Sequence, residues 1–417
     1  MDAFNENLNE QQAQQPMGCL HRFSKTIKVV IIGLLILLLM IPMFMIENLI
    51  SERGRTQEEA IDEVSEKWSL AQTITGPYLN LQYPVVTENN GEKKVSIKDL
   101  ILFPDELMVN GQLKTEILKR SIYEVNVYQS ELTLKGSFSS EELKKSRIDM
   151  DQLQFDRAAI CLNLTDMRGI SEQISITLGD SVYIFEPGMD NRGIANTGVH
   201  AIANLSELKQ NKKLPYEIKI KLKGSQSLNF IPLGKTTRVD LKANWNTPSF
   251  TGNYLPNNRN ITEKEFSAQW QVLSLNRNYS QVMADYNTSN IKDIENSSFG
   301  VNFKIPVEQY QQSMRSAKYA ILIILLTFGV IFFTEIMNKT RIHALQYLLV
   351  GLALCLFYSL LLSFSEHIGF NPAYLLSSAL TIILVGGYMF GITKKKKPSL
   401  IMSGLLGILY LYIFVLI

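Results

Sequence analysis

Two ionisable side chains stand next to each other where an apolar run of the sequence ends. Glu366 and His367 follow the run 344–364, and an adjacent carboxylate and imidazole could relay protons or bind a metal. Because histidine changes charge between about pH 5 and 8, the pair could also sense acidity. We favour a capping and hydrogen-bonding cluster at a helix end, with the pH sensor as the alternative.

A further carboxylate, Glu335, lies near the end of the preceding apolar run, 317–337. Charged groups inside membrane-spanning segments are costly and often functional, so Glu335 could be a proton or ion site. We interpret it instead as an interfacial carboxylate that pairs with Lys339 or Arg341.

The polar middle of the chain offers two candidate binding positions. Asp166 and Arg168 precede Gly169 in a turn that follows the predicted strand 160–164, and such a turn could hold a ligand carboxylate or a sugar. An internal ion pair that fixes the turn is the favoured interpretation. Trp245 could form an aromatic ligand platform, but we expect it to anchor the edge of a sheet.

The sequence lacks the short motifs of common catalytic and cofactor sites. It has no His-Glu-x-x-His, no Cys-x-x-Cys, no Gly-x-Ser-x-Gly and no glycine-rich phosphate loop. Its four histidines do not cluster as zinc ligands would. We therefore predict no cofactor, no metal and no enzymatic activity. Cys19, Cys161 and Cys355 fall in different predicted compartments, so no intramolecular disulfide is expected.

The elements that position these residues follow from five apolar runs. Each is about 20 residues long, which at ~1.5 Å per residue spans the ~30 Å hydrocarbon core of a bilayer. Backbone groups in lipid must be satisfied internally, so each run should be a helix. The predicted spans are 27–46, 317–337, 344–364, 373–392 and 400–417. The first follows a polar tail, 1–26, and reads as an uncleaved signal anchor because no Ala-x-Ala site follows it.

Basic residues predict the orientation of these spans. Arg22, Lys25 and Lys28 precede or open the first span, the link 338–343 is basic, and four lysines, 394–397, separate the last two spans. The link 365–372 has no Lys or Arg. The positive-inside rule then places the N-terminus in the cytoplasm and the long polar segment 47–316 in the periplasm.

The segment 47–316 is predicted to be mostly β-structure. A helix is expected over 58–71, where apolar residues repeat at three- and four-residue intervals. Beyond it apolar and polar residues alternate, which is typical of sheets with one buried face. The alternating stretches are 123–127, 132–134, 174–178, 218–222, 239–245, 266–272 and 299–305. Many short strands separated by Gly, Asn and Pro predict a sandwich-like domain.

Two further patterns concern the membrane helices. An apolar face continues from Pro306 to Ile336, so we expect one unbroken helix there, begun by the proline. Gly387 and Gly391 form a small-xxx-small pair, which we interpret as a packing site within the bundle, with a dimer contact as the alternative.

Several separate stretches, in this order, resemble the CreD family of bacterial inner-membrane proteins. They are ITGPYL (74–79), DMRGI (166–170), NWNTPSFTGNYLP (244–256), PVEQYQQSMRSAKYAILIILLTFGVIFFTEI (306–336) and RIHALQYLLVGLALCLFYSLLLSFSEHIGF (341–370). The resemblance implies an inner-membrane protein linked to cell-envelope integrity, with its large domain in the periplasm and no established catalytic residues. Family members usually continue with another hydrophobic segment, so it stays open whether this chain is shortened at Ile417.

The expectation is thus an α+β membrane protein with a signal-anchor helix, a β-rich periplasmic domain and a C-terminal helical bundle. It would serve envelope integrity or stress response by binding or assembly. The alternatives are a transporter or channel component and a membrane-tethered periplasmic hydrolase. The expected partners are the lipid bilayer, other envelope proteins or a second copy of the chain. Nucleic acid is not expected, because 41 Lys and Arg residues nearly balance 39 Asp and Glu residues.

Overall fold

The computed structural model describes residues 18–89, 92–146, 148–189, 194–210, 212–284, 288–303, 308–338 and 341–417. The chain divides into two compact units. One comprises the residues through 57 and from 307 onward, and the other comprises residues 58–306. The α+β fold class is confirmed: an apolar N-terminal helix, a β-rich middle and C-terminal helices long and apolar enough to cross a membrane.

The α-helices in the described ranges are α1 (Gly18–Trp68), α2 (Glu141–Lys145), α3 (Ser206–Lys209), α4 (Thr288–Asn296), α5 (Glu308–Lys318), α6 (Ala320–Asn338), α7 (Ala344–Ile368), α8 (Phe370–Thr393) and α9 (Lys396–Leu416). The strands there are β1 (Gln72–Asn89), β2 (Glu92–Leu102), β3 (Glu106–Arg120), β4 (Tyr123–Phe138), β5 (Ala158–Leu164), β6 (Ser175–Leu178), β7 (Ser181–Ile184), β8 (Glu186–Pro187), β9 (Gly198–Ala203), β10 (Leu214–Ser225), β11 (Ser227–Phe230), β12 (Thr236–Ala243), β13 (Ser249–Gly252), β14 (Asn258–Ile261), β15 (Phe266–Leu273), β16 (Val282–Ala284) and β17 (Phe299–Asn302).

The strands form two sheets. The first has the order β13-β17-β11-β1-β5-β9-β8, with β2 paired to both β1 and β16. The second has the order β14-β15-β12-β3-β4-β10-β6-β7. The long strand β1 is the hub of the first sheet, because different parts of it pair with β11, β5 and β2.

The two sheets pack face to face around one apolar core, as the alternating pattern predicts. Strand β12 buries every second residue, including Val239 and Leu241. Aromatic rings bridge the layers: Phe250 of β13 lies 5.6 Å from Trp270 of β15, and Trp270 lies 5.9 Å from Phe299 of β17 (centroid distances). Because alternate side chains fill the space between the sheets, only one pairing register of each strand buries all of its apolar side chains.

Five helices among the described residues are long and apolar enough to span a bilayer, namely α1 and α6–α9. Aromatic side chains fill the centre of the bundle. The ring of Phe357 on α7 lies 5.4 Å from Tyr374 on α8 and 4.4 Å from Tyr410 on α9. Close approaches occur at two glycines: a Cβ on Gly351 would meet Leu39 of α1, and one on Gly386 would meet Ser403 of α9.

The structure differs from the sequence expectation in four local features. The helix expected at 58–71 is the end of α1, and the strand patterns at 123–127 and 132–134 belong to the single strand β4. The unbroken helix expected from Pro306 divides at Tyr319, where the Tyr319 N–H bonds to the Ser316 carbonyl; Pro306 itself lies outside the described residues. Gly387 and Gly391 are exposed, and a Cβ on either would have no atom within 4 Å, so their predicted role in packing within the bundle is wrong.

Candidate functional site

An ion pair joins two membrane helices near one end of the bundle. The Lys28 ammonium of α1 donates to the Glu335 carboxylate of α6 and, at 2.8 Å, to the Ile342 carbonyl. The Tyr347 hydroxyl of α7 donates to the second oxygen of Glu335 at 3.1 Å. The side chains of Lys28 and Glu335 are only 24% and 12% exposed. One carboxylate therefore holds groups from two other helices.

Glu335 is thus a paired carboxylate, as interpreted from the sequence, but its partner differs. Lys339 lies outside the described residues and Arg341 is exposed, whereas Lys28 makes the pair. The sequence did contain the signal. A lysine within the first turn of an apolar run needs a counter-charge on another helix, because an unpaired charge there is costly. The prediction chose Lys339 and Arg341 because they are close to Glu335 in the sequence, whereas the cation that pairs with Glu335 is Lys28.

The other end of the bundle holds Glu366 in a second polar cluster. The Tyr310 hydroxyl of α5 donates to Glu366 at 3.1 Å, and the Arg53 Nε atom of α1 lies 3.8 Å from the same carboxylate oxygen. His367 is exposed, and no hydrogen bond or ion pair joins it to Glu366 among the described residues. Adjacent helical residues point about 100° apart, so the two side chains face different surroundings.

In the β-rich unit, Asp166 and Arg168 fix the end of α1. The Asp166 carboxylate accepts hydrogen bonds from the Leu70 amide at 2.9 Å and from Arg168 Nε at 2.9 Å. Arg168 also donates to the carbonyl of Glu66, in the last turn of α1, at 2.7 Å. Gln72 donates to the Asp166 carbonyl at 2.8 Å. The Asp-x-Arg turn thus satisfies polar groups that the helix end leaves free.

Electrostatics and packing both support this arrangement. Burial raises the pKa of the Asp166 carboxyl, but the hydrogen bonds from Arg168 and Leu70 outweigh burial, and the pKa lies below its ordinary value of 3.8. A Cβ on Gly169 would lie 2.3 Å from the Lys223 carbonyl, so the turn requires glycine. Asp166 and Arg168 engage each other and the helix end, which is the structural role favoured from the sequence.

Trp245 lies at an edge of the sandwich and is partly buried. Its ring stands edge-on to Phe303 at 6.5 Å, and its Nε1 atom donates to the Thr247 carbonyl at 3.0 Å. The neighbouring Asn244 bonds to the backbone and side chain of Thr115. These contacts correspond to the expected anchor of a sheet edge.

An open groove of about 250 Å³ lies on the first sheet. Its lining carries many hydroxyl and amide groups: Thr73, Thr75, Asn163, Thr165, Thr197 and Ser298, with Leu164, Ala195, Ile231 and the carboxylate of Glu295. Asn163 is held rigidly, since it donates to the carbonyls of Ala195 and Thr197 and accepts from the Tyr78 hydroxyl at 2.7 Å. The arrangement suits a ligand that forms several hydrogen bonds.

Sequence reasoning did not find this groove. Thr73 and Thr75 lie two residues apart on one strand, which places both on the same face of β1. That spacing was visible, but the residues that meet them come from β5, α4 and a distant loop. In the part of the chain that the structure describes, no three His, Cys, Asp or Glu side chains lie together as metal ligands would.

Comparison with known proteins gives two matches that cover most of the chain. The family model described as inner membrane protein CreD matches residues 24–417. The inner membrane protein CreD of Escherichia coli (strain K12) is 33% identical over 375 residues, which are 88% of this chain and 81% of that protein.

Replacing Lys28 alone should destabilise the membrane unit. Lys28→Met leaves Glu335 without its cation, and breaking a buried ion pair costs about 3–5 kcal/mol. The double variant Lys28→Met/Glu335→Leu removes both charges and should recover most of the loss. Thermal unfolding of the full chain in detergent measures this, with the exposed Lys396→Met as the matched control. Equal melting of Lys28→Met and the control would show that the pair contributes nothing.

Asp166→Asn should loosen the end of α1 within the β-rich unit. The amide cannot accept from all the donors around Asp166, and a charged hydrogen bond contributes about 2 kcal/mol. Because the folded pKa is depressed, this stability is present above about pH 4 and is lost as the pH falls through the folded pKa. The melting difference between wild type and Asp166→Asn should therefore shrink on acidification. An exposed control, Asp180→Asn, should melt like wild type; a difference that grows at low pH would contradict the assignment.

Proposed function

The chain belongs to the CreD family of inner membrane proteins, and from this premise we propose that it maintains the cell envelope by binding a ligand or partner through its β-rich domain, without catalysis. The groove on the first sheet carries this proposal. Its lining offers hydrogen-bonding groups on strands and on a helix end, and three hydrogen bonds fix the side chain of Asn163 in its wall. A solvent-open groove that combines an apolar lining with several fixed hydrogen-bonding groups suits recognition of a hydroxyl-rich ligand such as a saccharide.

The proposed orientation has the N-terminus in the cytoplasm and residues 58–306 in the periplasm. The helix bounds support it. Lys394–Lys397 lie around the link from α8 to α9, and Arg341 lies in the link from α6 to α7. By contrast, α7 and α8 are joined by Gly369 alone, with no basic residue beside it. All short basic links then lie on the cytoplasmic side.

A transporter or channel component is the second candidate, and one observation bears on it. Helix α8 buries a stripe of hydroxyls at helical spacing, Tyr374, Ser377, Ser378 and Thr381. Three of them donate to backbone carbonyls: Tyr374 to Tyr410, Ser378 to Leu375 and Thr381 to Ser377. Because these bonds are made within the protein, the stripe supports helix packing more than a water-filled path.

A tethered hydrolase would need an acid, a base and a nucleophile in contact. The groove contains Glu295 and Ser298, but no side-chain hydrogen bond joins them among the described residues. As partners we propose the lipid bilayer, other envelope proteins and a second copy of the chain. Gly387 and Gly391 are exposed and have open space above them, which supports a helix–helix contact between copies.

The orientation is tested with single cysteines in a variant whose three native cysteines are serine. Lys396→Cys should escape a membrane-impermeant maleimide in intact cells and react after permeabilisation, because the positive-inside rule places it in the cytoplasm. Val182→Cys, on an exposed position of β7, should react in intact cells. Reaction of Lys396→Cys from outside would reverse the proposed orientation.

The groove is tested by filling it. Thr197→Trp should block the groove, and Glu295→Gln should weaken a ligand that bonds to the carboxylate by about tenfold, equal to about 1.4 kcal/mol. The measurement is detergent resistance of a strain lacking the gene, rescued by each variant at matched membrane expression. Thr177→Trp places the same bulk on an exposed part of the other sheet and should rescue fully. Full rescue by Thr197→Trp would exclude the groove as the binding site.

A further inference from the structure

A buried cation in the β-rich unit has no counter-charge among the residues that the structure describes. Arg277 is 9% exposed, and its guanidinium carbon lies 4.3 Å from the ring centroid of Tyr279 and 5.7 Å from that of Phe103. The walls around these rings are apolar and include Leu233 and Met283. The charge therefore lies in low-dielectric surroundings, among the residues that pack on the outer side of the first sheet.

The hydrogen bonds of Arg277 reach neutral acceptors only. Its Nη2 atom donates to the carbonyls of Leu233 at 3.1 Å and Gly234 at 3.4 Å, and to the side-chain oxygen of Gln281. Its Nε and Nη1 atoms are buried and make no hydrogen bond within the part of the chain that the structure describes. No ion pair to Arg277 occurs within the described ranges. Two nitrogen atoms of a buried guanidinium are thus left without a hydrogen-bond acceptor among the described residues.

Other arginines of the chain show the contrast. Arg53, Arg120 and Arg168 have side chains about half exposed, where water already solvates the charge, and each lies beside a carboxylate. Arg277 is far more buried, and no carboxylate of the described residues pairs with it. Burial lowers the pKa of Arg277, but a guanidinium is so basic that it keeps its charge at neutral pH. Leaving such a charge uncompensated away from water is strongly unfavourable.

We propose that Arg277 anchors a binding site for an oxyanion, the carboxylate or phosphate group of a ligand. The free Nε–H and Nη1–H groups donate to the anion, and the rings of Tyr279 and Phe103, which meet edge to face, pack against the guanidinium and fix its position. The third guanidinium nitrogen, Nη2, donates to the side-chain oxygen of Gln281, and Gln281 is itself fixed because it donates to the Pro104 carbonyl. The low dielectric around the buried guanidinium strengthens each charged hydrogen bond.

This site is distinct from the polar groove. The Tyr279 hydroxyl bonds to the Pro232 carbonyl and to Ser297, both at 3.0 Å, and these residues are the chain neighbours of Ile231 and Ser298 in the groove wall. The Tyr279 side chain therefore stands between the guanidinium and the groove. The oxyanion site goes beyond the function proposed above and does not depend on it.

The test titrates the full chain in detergent with inorganic phosphate and, separately, with acetate, each against chloride at equal ionic strength. The melting midpoint of the wild type should rise and saturate with at least one of the two anions, because an anion that binds the folded state alone stabilises it. A response to phosphate only or to acetate only identifies the group that the site takes. No response to either would overturn the proposal.

Three variants assign the response to Arg277. Arg277→Met should abolish it, and Arg259→Met, at an exposed arginine of β14, should keep it. Gln281→Glu should abolish it too, because the introduced carboxylate pairs with the guanidinium of Arg277 and takes the place of the anion. This variant retains Arg277, so it tests the assignment if Arg277→Met does not fold. An unchanged midpoint shift in either Arg277→Met or Gln281→Glu would contradict the assignment.

Discussion

The ion pair between Lys28 and Glu335 is the interaction on which the membrane unit depends. Each partner lies on a helix that otherwise presents apolar side chains to lipid, and such helices gain no hydrophobic energy by associating with one another. A buried pair supplies the missing specificity, since a rotation of α1 would leave Lys28 without a counter-charge. The Tyr347 hydroxyl on Glu335 extends the same constraint to α7.

Arg53 and Glu366 form a second charged contact farther along α1, at the other end of the bundle. Lys28 and Arg53 are 25 residues apart, about 38 Å along a helix and slightly more than the ~30 Å hydrocarbon core. Between them, Leu39 is buried against the bare backbone of Gly351 on α7. Two charged contacts at the ends and one close approach in the middle determine the position of α1 in the bundle. Within the β-rich unit, Asp166 and Arg168 perform the corresponding task for its last turn.

The periodic patterns of the sequence predicted the helices and strands, but they did not predict contacts between residues that are far apart in the chain. Alternation in β12 and β15 requires only neighbouring residues, so those strands were expected and occur. The partner of Glu335 lies 307 residues away; the position of Lys28 inside an apolar run predicts that it needs a counter-charge, but not which helix supplies it. Gly387 and Gly391 have the spacing of a packing motif, but Gly386, one residue earlier, makes the close contact with Ser403. Rotation about a helix axis is decided by all its neighbours together, which the sequence of one helix does not show.

Buried polar groups without described partners differ between the two units in their energetic cost. In the bundle, Tyr358 and Ser377 bury hydroxyls without partners, and an unmade neutral hydrogen bond costs about 1–3 kcal/mol. An uncompensated buried ion costs several kcal/mol even after the protein relaxes around it, so Arg277 is the larger imbalance. In the bundle the largely buried carboxylates Glu335 and Glu366 each lie beside a cation, and three of the four hydroxyls of the α8 stripe donate to backbone carbonyls. The β-rich unit retains both a free cation and an open polar groove, and a ligand that supplies an oxyanion would lower its free energy more than any neutral group offered to the bundle.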